Sequence, residues 1–369
     1  MKFVCSKSNL LSGLQIVSKA VPNKTTMSIL ECILVDATKN EIKLTANDME
    51  LGMETVIQGE VIEKGIIALD AKMFLDIIRK LPDNDVTIEC DNSFKTYIKC
   101  EKANFTIIGK SGDDFSYLPV VEKDHQIVIS QFTLKEIIRQ TIFSISDNDN
   151  NKLMTGELFE VKGNELKVIS LDGHRISIRK IQMKDHYDDT RLVVPGKTLN
   201  EISKILPGDA DKDVIISYTN NHVLFEFEDT VVVSRLIEGE YFKVEQMLSS
   251  DYETKVSINK KELLNCIDRA TLLVKEGDKK PIIINIQDDF MELKINSTLG
   301  SMNEDIDIEK KGKDLMIGFN PKFLIDALRV IDDETVDLYM VNSKAPCFIK
   351  NEEESYIYLI LPVNFTTVS

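Results

Sequence analysis

The sequence has no tryptophan, only four histidines, six scattered cysteines and no surplus of positive charge. Each shortage excludes something. His125, His174, His186 and His222 show no pairing at metal-ligand spacing and no HExxH string occurs, so no metal or cofactor centre is expected. Cys5, Cys32, Cys90, Cys100, Cys266 and Cys347 form no CxxC pair, which reads as free thiols in a reducing compartment. No apolar run is long enough to span a bilayer and no basic-led apolar leader opens the chain, so a soluble, cytoplasmic protein with no membrane partner is expected. Asp+Glu 61 against Lys+Arg 45 gives a net charge of −16, which argues against a general nucleic-acid binder unless the bases share one surface. There is no zinc-finger spacing and no clear helix-turn-helix. Without tryptophan, base stacking would fall to the 16 Phe and 9 Tyr. Any grip on nucleic acid should be loose and blind to sequence.

What the chain does have is a helix written three times, 125 residues apart. The first copy runs Lys72, Phe74, Ile77, Ile78, Arg79, Leu81. The second runs Lys197, Leu199, Ile202, Ser203, Lys204, Leu206, and the third Lys322, Leu324, Ala327, Leu328, Arg329, Ile331. Each copy has a base at its start, a base near its end and apolar residues at helical spacing between them. Asp70 caps the first copy and Pro82 stops it. Pro195-Gly196 leads into the second. Asn320 caps the third, with Pro321 in the first turn, where a missing N–H costs little.

A second helix opens each unit, over 6–21 (Leu10, Leu14, Val17), 131–143 (Leu134, Ile138, Ile142) and 259–273 (Leu263, Ile267, Ala270). Polar loops follow at 22–24, 146–152 and 275–280. Alternation predicts strands at 41–45, 165–169 and 292–296, and further strands follow the repeated helix at 86–90, 214–218 and 336–341. Each unit thus reads strand, helix, strands, strand, helix, strands: a duplication inside a triplication. At 369 residues this gives three domains of ordinary size, with boundaries near 118–124 and 248–254: 1–121, 122–250 and 251–369. The fold class is α+β, with two helices packed on antiparallel sheets in each domain.

The six helices carry fourteen bases, among them Lys72, Arg79, Lys80, Lys135, Arg139, Lys197, Lys204, Lys260, Arg269, Lys322 and Arg329, against six acids. Their net +8 leaves −24 on the rest of the chain. Lys and Arg are good helix formers and could simply occupy solvated faces. Repetition in register favours the other reading, a surface that faces phosphates without reading bases.

Catalytic strings are scarce. Gly196-Lys197-Thr198 looks like the tail of a phosphate loop, but Arg191 stands where the first glycine would fall. Asp172-Gly173-His174-Arg175 admits three readings: a tight turn, a ligand or partner contact, or a catalytic histidine. Asn47-Asp48-Met49, at the corresponding place in the first unit, shares only the turn. No set of nucleophile, acid/base and orienting group can be assembled, so no catalytic residue is named and no enzyme is expected. A repeat scaffold for acidic or peptide partners, and an enzyme built on His174, are the competing readings.

Over its whole length the chain resembles the bacterial sliding clamp, the beta subunit of DNA polymerase III. The carriers are Met1-Lys2-Phe3, Leu10-Leu11, Thr155-Gly156 before Leu158-Phe159-Glu160, Asp172-Gly173-His174-Arg175, Gly318-Phe319-Asn320 and Leu361-Pro362-Val363, in that order and spacing. The resemblance implies a head-to-tail homodimer of three-domain chains closing a ring, with helices lining the hole and sheets outside. It implies a processivity factor that encircles duplex DNA without sequence preference. Its partners would be the replicative DNA polymerase, the clamp loader, and mismatch-repair and other proteins bearing a clamp-binding motif. DNA-facing positions would be Lys24 and the eleven helix bases named above.

The resemblance also places a peptide pocket between the second and third domains, at Met154, Leu171, Gly173, His174, Arg175, Ile176, Phe242, Met247, Asn320, Phe323, Leu361, Pro362 and Val363. Methionines suit a site that must repack around many partners. It departs from the family at Phe242 (usually proline), Gln246 (usually arginine), Lys344 and Pro346, and in a longer tail over 364–369. For ring closure it implies an edge strand with Phe105 and Ile107 in the first domain, against an edge strand of the third near Leu272 and Leu273.

Overall fold

The structure is a computed structural model and describes residues 1–148, 150–248, 251–275 and 280–365. Parts of the loop at 275–280, the boundary at 248–254 and the tail at 364–369 therefore lie outside the described residues.

Among the described residues six α-helices each follow a strand, and five of the junctions share one device. The last residue of the strand, or in one case the residue just past it (Asn320), caps the helix, its side-chain oxygen accepting an N–H of the first turn. Ser6 caps α1 (Lys7–Val17), Asp70 caps α2 (Ala71–Lys80), Asn259 caps α5 (Lys260–Thr271) and Asn320 caps α6 (Pro321–Val330), as the sequence predicts for Asp70 and Asn320. The Ser130 hydroxyl takes the Thr133 N–H at 3.1 Å in the same way at the start of α3 (Gln131–Thr141). Each such cap is worth about 1 kcal/mol. The remaining helix, α4 (Gly196–Ile205), follows Pro195. The apolar stripes face inward: Leu10, Leu14 and Val17 on α1, Phe74 and Ile78 on α2, Leu324 and Leu328 on α6 are all fully buried.

The chain forms two compact units, and both cut across the sequence repeats. One consists of Met1–Lys135 with Lys197–Leu236, the other of Glu136–Gly196 with Ile237–Ser369. The cause is strand pairing. In the first unit Leu51–Ile57 pairs antiparallel with Thr230–Arg235, joining strands of the first and second repeats into one nine-stranded sheet. The buried Thr55 and Thr230 hydroxyls meet at 2.9 Å across that join. A five-stranded sheet completes this unit, with Ala103–Ile108 at its edge.

In the second unit, Gly156–Leu171 and Arg175–Pro195 form a long hairpin. Arg175–Pro195 pairs with Tyr356–Ile360, which extends the hairpin into a seven-stranded sheet. A four-stranded sheet has Gly300–Asp307 at its edge. The main core of this unit gathers around Leu263, Ile284, Leu293, Phe319 and Leu324. A smaller cluster around Ile169, Ile178, Val244, Ile357 and Leu359 lies behind the hairpin.

All six cysteines are free and five are buried. Among the described residues no helix is long and apolar enough to cross a membrane, and no His/Cys/Asp/Glu group could hold a metal ion.

Candidate functional site

The turn at Asp172-Gly173 borders an apolar cleft. The Asp172 carboxylate accepts the His174 and Arg175 N–H groups at 2.9 and 3.1 Å, and Gly173 sits at φ +86°, where a side chain would be strained. The turn thereby exposes His174 and folds Arg175 inward. The cleft has a volume of about 420 Å³ and is lined by Met154, Leu171, Gly173, His174, Arg175, Ile176, Phe242, Met247, Pro346, Leu359 and Leu361. Nine of these belong to the set implied by the resemblance; Pro346 and Leu359 are additional. Leu359 is a buried residue of the strand Tyr356–Ile360, and only its pairing beside Ile176 brings it to the cleft.

Asn320, Phe323, Pro362 and Val363 stand outside the lining, each with a supporting place. Asn320 caps α6. Phe323 lies beneath the turn, stacked on His174 with centroids 6.0 Å apart and under the Arg175 guanidinium at 4.5 Å. The Leu361 and Val363 N–H groups donate to the His174 and Gly318 carbonyls at 2.9 Å each, with Pro362 held between them, so the tail is stitched along the cleft rim. Arg175 is almost wholly buried. It reaches Asp172 at 3.0 Å, Asp326 at 2.6 Å and the Phe143 carbonyl. Its charge is thus spent inside the protein, and what remains for a ligand is an apolar trough with a histidine at its lip.

The helix bases divide into three kinds. Arg79, Lys204 and Arg139 pair with an acid three residues back on the same helix (Asp76, Glu201, Glu136). Arg139 also reaches Asp332, Arg329 pairs with Asp268, Arg269 with Glu304 and Lys197 with Asp48. Acids of loops and strands, Asp332, Asp48 and Glu304, thus fold back onto three of the helix bases and offset part of their charge.

Lys135 and Lys260 are the second kind. Lys135 donates to the Leu206 carbonyl at 2.8 Å and Lys260 to that of Ile331. These acceptors are equivalent positions of the repeated helix, just past its last turn, where a cation satisfies an otherwise unpaired carbonyl.

Lys24, Lys72, Lys80 and Lys322 are exposed and make no ion pair among the described residues. Lys72, Lys197 and Lys322 share one place, the second residue of α2, α4 and α6. Bases in a last turn, such as Arg79 or Arg329, complement the helix dipole. A base in the first turn opposes it, at a cost of a few tenths of a kcal/mol. Lys197 gains the Asp48 pair there, but fold stability gives no reason for the exposed, unpaired Lys72 and Lys322.

At the expected interface, Phe105 is 40 % exposed and lines an open depression beside α2 with Met73 and Ile77. Ile107 is buried within its own unit, while Ile108 of the same strand is exposed, at 81 %. Leu272 is 78 % exposed, whereas Leu273 packs partly onto the core of its unit.

Sequence profiles of the DNA polymerase III beta subunit match the chain three times: the N-terminal domain at residues 1–119, the central domain at 128–243 and the C-terminal domain at 245–364. A beta sliding clamp of Staphylococcus epidermidis is 33 % identical over 98 % of this chain and 99 % of its own length, and one of Staphylococcus aureus is 34 % identical over the same shares. Among solved structures, one from Eubacterium rectale, provisionally described as a DNA polymerase III beta subunit, is 75 % identical and superposes with a TM-score of 0.96, covering 99 % of this chain and all of that one. The sliding clamp of Bacillus subtilis is 32 % identical with a TM-score of 0.95 over the same shares. The chain therefore belongs to the DNA polymerase III beta subunit family, the bacterial sliding clamps that serve as polymerase processivity factors.

Proposed function

We propose that two copies of this chain, each with clamp domains at 1–121, 122–250 and 251–369, close head to tail into a ring around duplex DNA in the cytoplasm. The ring slides without reading sequence and catalyses nothing itself. The edge strand Ala103–Ile108 of one copy, with Phe105 and Ile108, adds to Gly300–Asp307 of the other beside Leu272. The cleft beside Asp172-Gly173 holds extended peptides with apolar anchors. Through it the ring tethers the replicative polymerase, the clamp loader and mismatch-repair or other proteins that carry such a segment.

One observation carries the DNA reading: an exposed lysine recurs in the first turn of α2, α4 and α6, against the helix dipole. A helix N-terminus with a lysine beside its free N–H groups favours an anion. Repeated three times per chain, it favours a regular polyanion contacted through phosphates alone.

The test is topological. Loaded onto closed circular DNA by a clamp loader, the protein should stay bound through gel filtration and leave once the circle is cut. Retention on the cut, unblocked DNA would sink the ring. The Ile108→Asp variant should sediment with a larger monomer fraction than the unaltered chain, and an unchanged dimer would remove the proposed closing strand.

A further inference from the structure

One wall of the cleft is carried by a short 3-10 turn, Val244–Met247, with Met247 lining the cleft and Phe242 just before the turn. Val244 is buried, but Glu245 and Met247 are mostly exposed, and beyond the turn's own bonds the Leu248 N–H reaches the Glu245 carbonyl at 3.3 Å. A second tie runs from the hairpin. Lys167, on the strand Gly156–Leu171, is only 8 % exposed, and its Nζ donates to Glu245 Oε1 at 2.7 Å.

The arrangement around Lys167 is more than a surface pair. Behind it lies Glu160, itself nine-tenths buried, at 3.6 Å. Lys162 at 3.4 Å and Arg191 at 3.6 Å also approach Glu160. Glu160 thus keeps two other counter-ions, and the Lys167 ammonium is left to hold Glu245. Packing confines the lysine, so little side-chain freedom remains to be lost when the bridge forms. This hydrogen bond also holds the Glu245 carboxyl below the usual range.

We propose that Lys167 is a positioning residue of the peptide cleft: through Glu245 it latches the turn carrying Met247 against the hairpin, so that this wall stands ready before a peptide arrives. The proposal rests on reading the cleft as a peptide site and adds to it what fixes its shape. A wall already ordered removes part of the ordering cost of binding.

A capped, charge-free peptide with Leu and Phe anchors tests this, since such a ligand feels neither charge directly. The Glu245→Gln and Lys167→Met variants should each bind it about threefold more weakly than the unaltered chain, the size expected of one partly exposed ion pair. The double variant should lose no more than either single one, and Lys167→Arg should restore most of the affinity. The advantage of the unaltered chain over Glu245→Gln should shrink as salt rises from about 0.1 M to about 1 M, where screening reaches contact distances. Equal affinities, or losses that simply add in the double variant, would overturn the latch. Amide exchange at Met247 and Leu248 checks it without any peptide: Glu245→Gln should exchange faster there, and unchanged exchange would overturn it. If the unaltered chain bound no such peptide while the exchange result held, the peptide reading would fail and the latch would stand as a structural tie alone.

Discussion

The Arg175 guanidinium lies 4.5 Å from the centre of the Phe323 ring and 5.4 Å from that of Phe143, with the Asp172 and Asp326 carboxylates at its edges. One cation thus fastens the turn that presents His174 to helix α6, through Asp326 and Phe323, and to the Phe143 carbonyl. Its surroundings are apolar above and below and acidic at the rim, which is how a planar, weakly hydrated cation is held with little solvent.

Arg175→Met should therefore act first on stability. It would strand two mostly buried carboxylates, at a cost of about 3–5 kcal/mol. Urea unfolding should show that loss, and peptide affinity should fall because His174 and Phe323 lose their shared support. Phe323→Leu should keep the charge pairs and cost less.

The helix cations are not equal in effect. Among the described residues Lys72, Lys80 and Lys322 make no ion pair, whereas Arg79, Lys204 and Arg329 pair with Asp76, Glu201 and Asp268. Replacing the first three by glutamine should speed loss of the loaded protein from circular DNA more than replacing the second three. For each lysine removed, the log–log salt dependence of retention should flatten by about 0.9 at most. Equal effects would mean that the intrachain pairs open on DNA.

Glu157 predicts a pH effect. It is fully buried and neither carboxyl oxygen has a hydrogen-bond partner, the adjacent Thr141 hydroxyl being turned to the Ile137 carbonyl. Burial pushes its pKa up to about 8. The native state keeps the proton where the unfolded chain has released it. The stability linked to this proton is complete below the unfolded value of about 4.3 and is lost as pH rises through the folded value. Glu157→Gln cannot ionise, so its stability relative to the unaltered chain should climb between about pH 4.3 and 8 and level off above, the slope approaching about 1.4 kcal/mol per unit. A flat difference would place a partner on the carboxylate.

Thiol chemistry should be confined to one residue. Burial pushes Cys5, Cys266 and Cys347 up to about 12 and raises Cys32 and Cys100 as well. Only Cys90 is partly exposed. Under native conditions a maleimide should label Cys90 alone, with the rest reacting on unfolding; early labelling of Cys266 would mean that α5 opens readily.

Much of the fold was legible because its signals are local. The 125-residue recurrence marked the repeated helix, Asp70 and Asn320 marked their caps, and Asp172-Gly173 marked a turn, each through groups a few residues apart. Resemblance, not periodicity, placed Met154, His174, Phe242, Met247 and Leu361 together, since no local rule connects residues so distant in the chain. Resemblance named Phe105 and Ile107 for ring closure, but not how far the core reaches beneath their strand. That reach buries Ile107 and leaves Phe105 exposed, while Ile108 is exposed at the end of the strand.

By itself the sequence determined the six helices, the caps at Asp70 and Asn320, the repeated first-turn lysines and the shortage of catalytic parts, because propensity, capping and charge act over a few residues. Only the tertiary structure decided where the compact units divide, which helix bases are neutralised, and that Leu359 and Pro346 complete the cleft. Those outcomes depend on strands and side chains brought together across the chain, as when Thr230–Arg235 pairs with Leu51–Ile57 or Glu304 meets Arg269. The physical reason is that pairing between distant strands is chosen by the whole packed core, and no short stretch of sequence contains that information.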